Sequence, residues 1–389
     1  ILVSEEDLKI SKSEFLPSVT ITGTKSETTT KKLTDRDGTN AAITDVDTET
    51  QTVTIEQKVF QGLGGKADLD KSKIGINLAK AKLLKKEQEV ILSAAEAFTG
   101  VILANKKFKI NKENLDLLER QVETDQNRLE KGEINLTDLA QSESSLAGAK
   151  AELISAKNDL VTSRLNYEKI IGKKLEGEVQ EPNELILNLP ESLASSYIIS
   201  KSENPDLQIA FLEYEQSKLD LRIAGAELSP SASLSYKIAE QDDVSAAVQE
   251  KTQSTVKATA TWPLFSGGKN AFKYRQFQEI KNQKELLLED IKKTTETEVA
   301  NAWSSYQSSK SVLDSIESQV KAAEIANEGI TLEYESGNSR TTLEVIQSRS
   351  ILLNSRINLA TSERNFLISQ FNLLFVTGKL TASQLNLKK

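Results

Sequence analysis

The sequence predicts a mainly α-helical protein that also carries membrane β-strands, built as two tandem repeats of strand, strand, long helix and shorter helix. Three observations predict this fold. The whole pattern occurs twice, the helical stretches carry apolar heptads, and the strand-like stretches alternate apolar and polar residues. Matched landmarks lie about 205 to 213 positions apart: Pro17 and Pro230, Phe60 and Phe265, Gly132 and Gly337, Gly172 and Gly378.

The strand-like segments precede each helix pair, at about 17–25 and 50–60 and again at about 231–239 and 253–265. Their alternation over about ten residues is typical of transmembrane β-barrel strands. In the last strand we expect one face toward lipid (Val256, Ala258, Ala260) and the other toward the lumen (Thr255, Lys257, Thr259). Soluble hairpins packed on the helices are the alternative.

Four strands cannot close a barrel, because about eight are the working minimum. If the strands enter lipid, the chain must therefore oligomerise, and three chains would supply twelve strands. Long polar segments between the paired strands, 25–47 and 240–252, fit extracellular loops.

The long helices are predicted at about 66–131 and 269–334, stretches without proline that would each span roughly 95–100 Å at 1.5 Å per residue. Shorter helices follow at about 137–171 and 342–377. Apolar residues recur at alternating spacings of three and four, as coiled-coil packing requires. We call such a line of residues along one helix a seam. The seam of the first long helix consists of Val101, Ala104, Phe108, Asn111, Leu115, Leu118, Val122, Asp125 and Leu129. The corresponding seam of the second long helix, 205 positions later, ends at Tyr334.

Composition excludes several functions. The 389 residues carry a net charge of −8 and contain no cysteine, histidine or methionine. Thiolate and imidazole metal sites, cysteine nucleophiles and Ser-His-Asp triads are therefore excluded, and the acidic balance argues against nucleic acid as the main partner. The segment QGLGGK lacks the spacing of a phosphate-binding loop. The longest uncharged apolar stretch, 365–378, is shorter than the ~20 residues of a membrane-spanning helix. The missing methionine indicates a processed chain or a fragment.

The repeat resembles the TolC family of outer-membrane efflux proteins. The resemblance rests on proline before a strand, on the turns FQGLGGK and FSGGK, and on the glycine-led segments KGEINLTDLAQ and SGNSRTTLEVIQ. It implies a trimer whose twelve-stranded β-barrel in the outer membrane continues into a long α-helical barrel crossing the periplasm. The implied function is an exit duct of a tripartite efflux or type I secretion system, passing small molecules or proteins from pump to exterior.

The same resemblance implies the partners and the organisation of the chain. The partners are a periplasmic adaptor (membrane fusion) protein and an inner-membrane RND or ABC-type transporter; no cofactor, metal or catalytic residue is implied. Repeat 1 is expected over 1–172 and repeat 2 over 204–378, with an equatorial segment at 173–203 and a C-terminal tail at 379–389. A full helix, about 204–228, precedes the strands of repeat 2. Only Ile1 to about Glu14 does so in repeat 1, so the resemblance implies N-terminal truncation.

The functional residues are expected at the two helix-to-helix segments, where the family closes its tunnel. By motif position, the resemblance implies gate links from Tyr334 and Arg340 on one helix pair to Thr137 and Asp138 on the other. It also implies a ring of acidic residues that narrows the tunnel. Glu344 matches one of the two acidic positions of this constriction, whereas Gln347 matches the other and is not acidic. Gly132 and Gly337 mark the two tips. Ordinary helix capping by threonine followed by an acid is the competing interpretation. The competing function is a soluble or envelope coiled-coil tether without channel activity.

Overall fold

The computed structural model describes residues 1–30, 33–34, 40–41, 44–175, 177, 187–245, 248–336 and 340–385. The elements, in chain order, are α1 (Leu2–Ser13), β1 (Ser18–Thr30), β2 (Leu33–Thr34), β3 (Asn40–Ala41), β4 (Thr44–Gln61), α2 (Gly64–Glu130), α3 (Leu136–Ile171), α4 (Leu193–Glu203), α5 (Pro205–Ala226), β5 (Ser231–Ser245), β6 (Val248–Thr261), α6 (Lys269–Glu335) and α7 (Thr342–Val376). The predicted class, mainly helical with a small antiparallel sheet, is confirmed.

The chain divides into two compact units. One contains residues 1–82 and 208–291, and the other contains 83–207 and 292–389. The first unit holds the strands, and the second holds the turns that join α2 to α3 and α6 to α7. Among the described helices, none combines the length and the apolar character that crossing a membrane requires.

The main sheet has four antiparallel strands in the order β1-β4-β5-β6. Its register aligns the apolar positions of all four strands. One row across the sheet is Val19, Ile55, Tyr236 and Val256. The adjacent row is polar throughout: Thr20, Thr54, Lys237 and Thr255. Residues directly opposite in neighbouring strands share a face, so over these rows the alternation seen in single strands gives the sheet one apolar and one polar face. Farther along the strands the same face becomes polar, as at the pair of Gln51 and Glu240.

The strands differ from their predicted bounds. All four strands of the main sheet extend into polar segments where apolar alternation has ended, because a hairpin's backbone hydrogen bonds continue without apolar side chains. The described ends of the segments predicted as loops, 25–47 and 240–252, are therefore strand. The predicted end of the last strand at 265 is wrong, since β6 ends at Thr261. Pro263 lacks the N–H that a ladder needs, and the Trp262 indole instead donates to the Leu228 carbonyl at 3.2 Å.

In the second unit the heptad seams supply much of the buried surface. Val101 is fully buried, as is Val299, and Ala104, Leu118 and Val320 are nearly so. Polar seam residues are satisfied in pairs: the Ser309 and Ser369 hydroxyls lie 2.8 Å apart, and the Ser348 hydroxyl donates to Asn327 at 2.9 Å.

A separate apolar cluster is centred on Phe371 and Leu374 of α7 and on Leu380 of the tail. Leu187 and Leu189 of the inter-repeat segment and Leu385 of the tail pack against it. The two irregular segments of the chain thus share one small core with α2 and α7.

Candidate functional site at the two helix-to-helix turns

The first turn joins α2 to α3 through Gly132, which has φ +73° and lies in open space. This left-handed conformation favours glycine, and it reverses the chain directly after α2. The turn ends in a capping box. The Asn135 side chain accepts from the Asp138 N–H at 3.1 Å, and the Asp138 carboxylate accepts from the Asn135 N–H at 3.2 Å. Asn135 is therefore the N-cap, and α3 begins at Leu136, one residue before the predicted start at about 137. Capping by Thr137 is wrong, because the Asn135 side chain takes that role.

The second turn joins α6 to α7, and its predicted tip residue Gly337 lies outside the described residues. Thr341 caps α7 and exchanges hydrogen bonds with Glu344, whose carboxylate accepts from the Thr341 N–H at 2.8 Å. The Arg340 guanidinium bridges two carboxylates, Glu333 at 2.6 Å and Glu344 at 3.0 Å. Bonds from Thr341 and Arg340 lower the pKa of Glu344, while those to Glu333 and Glu344 raise the pKa of Arg340.

Near the turns, the two helix pairs share a buried hydrogen-bond network centred on Asp125 of α2. The Tyr334 hydroxyl of α6 donates to Asp125 Oδ1 at 2.7 Å, and the Ser142 hydroxyl of α3 donates to Oδ2 at 2.5 Å. Gln121 Nε2, one turn earlier on α2, donates to Oδ1 at 2.9 Å. The Tyr334 hydroxyl also lies 3.1 Å from Thr342 Oγ1 of α7. All four long and short helices meet at this point.

Arginines surround the network. The Arg128 guanidinium lies over the Tyr334 ring, 4.4 Å from its centroid, a cation–π arrangement. The second arginine near the network is Arg349 of α7. Burial lowers the pKa of its guanidinium, and the charge of Asp125 acts against this shift. Burial also raises the pKa of the Tyr334 hydroxyl, which therefore stays a donor in the neutral range.

The six residues predicted to form the gate links and the constriction are distributed as follows. Tyr334 is buried between the helix pairs, Arg340 and Glu344 are paired within the second turn, and Asp138 is engaged in the first turn's capping box. Thr137 and Gln347 are exposed at the surface of their helices. Among the contacts of the described residues, the partner of Tyr334 across the helix pairs is Asp125 and not Thr137 or Asp138.

Motif comparison therefore missed Asp125, together with Gln121 and Ser142 that hold it. The sequence did carry a signal for Asp125. It occupies a position of the first seam where most members are apolar, and a buried charge in such a seam requires hydrogen-bond partners. No comparable signal marked Ser142, because serine is common on both faces of α3.

Strand pairs followed by paired long helices, in two copies, define the class of outer-membrane channel seen in the solved structure of CmeC from Campylobacter jejuni. That structure superimposes with a TM-score of 0.85 at 14% identity, over 98% of this chain and 81% of CmeC. The chain belongs to the outer membrane efflux protein family, whose model matches residues 3–173 and 199–379. The two matches fall on the two repeats.

Among named relatives, the outer membrane efflux protein BepC of Brucella suis is 22% identical over 99% of this chain and 82% of BepC. The alkaline protease secretion protein AprF of Pseudomonas aeruginosa is 21% identical over 80% of this chain and 66% of AprF. The chain thus spans most of BepC and just under two thirds of AprF.

Proposed function

We propose that this protein is the outer-membrane exit duct of a tripartite efflux or type I secretion system, with its helical part in the periplasm. The family and the fold place it among outer-membrane efflux proteins. The observation that carries the proposal is the aligned apolar face of the four-stranded sheet. Ile21 is 77% exposed on this face and Val256 is 72% exposed, so the chain itself leaves the face uncovered, as lipid contact requires.

The proposed assembly is a homotrimer. Four aligned strands per chain are too few to close a barrel, whereas twelve from three chains are enough. Closure would also pair the two exposed edges of the sheet, β1 and β6, with those of neighbouring chains, and this would satisfy backbone groups that lipid cannot.

The proposed partners are a periplasmic adaptor protein and an inner-membrane RND or ABC-type transporter. BepC is named for efflux and AprF for secretion of a protease, so the relatives support both small-molecule and protein cargo. A duct needs no covalent chemistry, and we propose no enzymatic activity.

The proposed gate lies at the helix-to-helix turns. The proposed donors are Tyr334 and Arg340 on the second helix pair, and the proposed acceptors on the first turn are Thr137 and Asp138. Within the single chain Tyr334 bonds to Asp125 and Arg340 bonds to Glu333 and Glu344, so links to the first turn would require these donors to exchange partners. Glu344 and Gln347 are proposed to line the constriction. These contacts are polar and few, each worth about 0.5–3 kcal/mol, which suits an element that must open and close.

The experiment that tests the proposed assembly is fractionation of the full-length protein followed by native mass measurement in detergent. We expect it in the outer-membrane fraction as a heat-modifiable trimer. A monomer that stays in solution without detergent would instead indicate the coiled-coil tether.

A further inference from the structure

Asp125 combines a fully buried carboxylate with hydrogen bonds from three helices. Its exposure is 0%, and its donors are Gln121, Ser142 and Tyr334. Two donors come from its own helix pair, and the third comes from the other pair. A carboxylate without donors at such a position would carry a large desolvation penalty, so the three side chains and the carboxylate depend on one another.

We infer that Asp125 is the acceptor through which the two helix pairs are held together near their turns, with Gln121 and Ser142 as the residues that position its carboxylate. This inference rests on the proposed function, since it assigns the closed state of the duct to a residue in the seam. It extends the proposed gate from the exposed turns to a buried site about two turns of helix before Gly132.

Asp125 and Asp138 differ in what they can contribute. The Asp138 carboxylate is half-buried and already accepts from the Asn135 N–H, so a link made there would compete with water and with the cap. The bond from Tyr334 to Asp125 is buried, and buried hydrogen bonds to a charged acceptor are the stronger kind. The Tyr334 hydroxyl also contacts Thr342 of α7. The connection therefore reaches both helices of the second pair.

Charged groups of both signs lie near the network. The Arg349 guanidinium of α7 interacts electrostatically with Asp125, and Arg120 of α2 and Glu335 of α6 act on the same guanidinium. Arg128 of α2 lies over the Tyr334 ring and also pairs with Glu133 at 3.1 Å. Removing Asp125 would take away the acceptor of Ser142 and Gln121, and it would leave the Tyr334 hydroxyl with Thr342 as its remaining partner among the described residues.

The test is a double-mutant cycle on open probability, measured with the full-length trimer in planar bilayers. The variants are Asp125→Ala, Tyr334→Phe and their combination. Asp138→Ala tests the alternative acceptor in the first turn, alone and combined with Tyr334→Phe, and Tyr306→Phe is the control hydroxyl on the same helix α6. Ser142→Ala, which keeps Asp125 and removes one donor, is a second variant in case Asp125→Ala lowers trimer yield.

We expect Asp125→Ala and Tyr334→Phe each to raise the open probability about tenfold. The combination should raise it no further, because both substitutions remove the same hydrogen bond. Ser142→Ala should raise it less and also be non-additive with Tyr334→Phe. Tyr306→Phe should leave it unchanged.

Two results would overturn the assignment. One is an unchanged open probability in an intact Asp125→Ala trimer. The other is full additivity of Asp125→Ala with Tyr334→Phe, together with non-additivity of Asp138→Ala with Tyr334→Phe. An assembled trimer that never conducts, in any variant, would overturn the proposed duct and the role of Asp125 together.

Discussion

Tyr334 shows how a single difference between matching positions of the two repeats creates a polar contact. Its register partner in the first seam is Leu129, so a purely apolar position in one repeat has a hydroxyl in the other. That hydroxyl reaches Asp125 at 2.7 Å. An asymmetry of this kind is what a contact between unlike helix pairs needs, since two identical seams would offer two identical apolar surfaces.

The double variant Tyr334→Phe with Arg340→Ser tests the donors of the proposed gate. It removes the link to Asp125 and the Arg340 bridge between Glu333 and Glu344, while phenylalanine keeps an aromatic ring at the last position of the second seam. The closed state should lose up to about 1–3 kcal/mol per chain, and single-channel conductance should rise. A conductance equal to that of the wild type, with the trimer intact, would mean that these residues only support the turns.

Gly378 and Gly172 allow a matched test of backbone strain at helix ends. Both have positive φ, +79° and +76°. A Cβ on Gly378 would lie 2.2 Å from the Glu203 carbonyl oxygen, whereas one on Gly172 would meet nothing within 4 Å. The Gly378 carbonyl also accepts from the buried Gln88 side chain at 2.7 Å.

We expect Gly172→Ala to cost about 1–2 kcal/mol, the cost of a left-handed residue with a Cβ. Gly378→Ala should cost about 3 kcal/mol or more, because backbone atoms of Glu203 and Asn204 must also move. Unfolding midpoints followed by circular dichroism measure both. Equal costs would contradict the close approach at Gly378.

Helix α5 is held by charge as well as by packing. Acids recur every seven residues along it and directly after its end: Asp206, Glu213, Asp220 and then Glu227. Each pairs with a lysine of α2 or α6. Asp206 meets Lys85 at 2.5 Å, Asp220 meets Lys71 at 2.6 Å and Glu213 meets Lys284 at 2.7 Å, while Glu227 pairs with Lys273. A seven-residue repeat keeps these carboxylates on one face of the helix.

The pair of Glu213 with Lys284 predicts a pH dependence. Its hydrogen bond lowers the pKa of Glu213 below the ordinary value of 4.5. The stabilisation is therefore present above about pH 4.5 and is lost as the pH falls through the lowered pKa. Glu213→Gln should lower the free energy of unfolding by about 0.5–1 kcal/mol at neutral pH, and by less in acid or in high salt. The exposed Glu289 of α6 is the control, and an equal effect of Glu289→Gln would contradict the role of the pair.

The sheet predicts opposite responses on its two faces. Ala258 of β6 lies opposite Leu234, on the apolar side that includes Val256, and Thr259 points to the other side. Arginine at Ala258 should cost about 2–4 kcal/mol if that residue lies near mid-membrane, whereas arginine at Thr259 should be tolerated. Folding yield into lipid vesicles measures the difference. Equal tolerance would show that the apolar face does not meet lipid.

The elements could be predicted because their periods are long and repeated, and the exceptions have local causes. Long proline-free stretches that carry heptads in their C-terminal halves predict α2 and α6, and the predicted bounds lie within two residues of the observed ones. The ends of strands could not be predicted, because backbone pairing continued beyond the apolar alternation in β4 and stopped before Pro263 in β6. Asp125 was visible as a polar seam position, but which side chains would satisfy it depends on how the helix pairs meet, and a single seam does not contain that information.

At the scale of the whole molecule, the proposed trimeric duct assigns three features to different parts of one function. In this proposal the apolar sheet face meets the lipid of the outer membrane, the long helices form the wall in the periplasm, and the buried network at Asp125 holds the duct closed. Their combination in a member of the outer membrane efflux protein family is what a duct requires.

Single-channel recording of the full-length trimer in planar bilayers tests this account most directly. The proposed duct predicts discrete ion currents from the wild-type trimer, with larger currents when Tyr334 and Arg340 are replaced by phenylalanine and serine. Trimers that insert into the bilayer but carry no current, in the wild type and in the double variant alike, would contradict it.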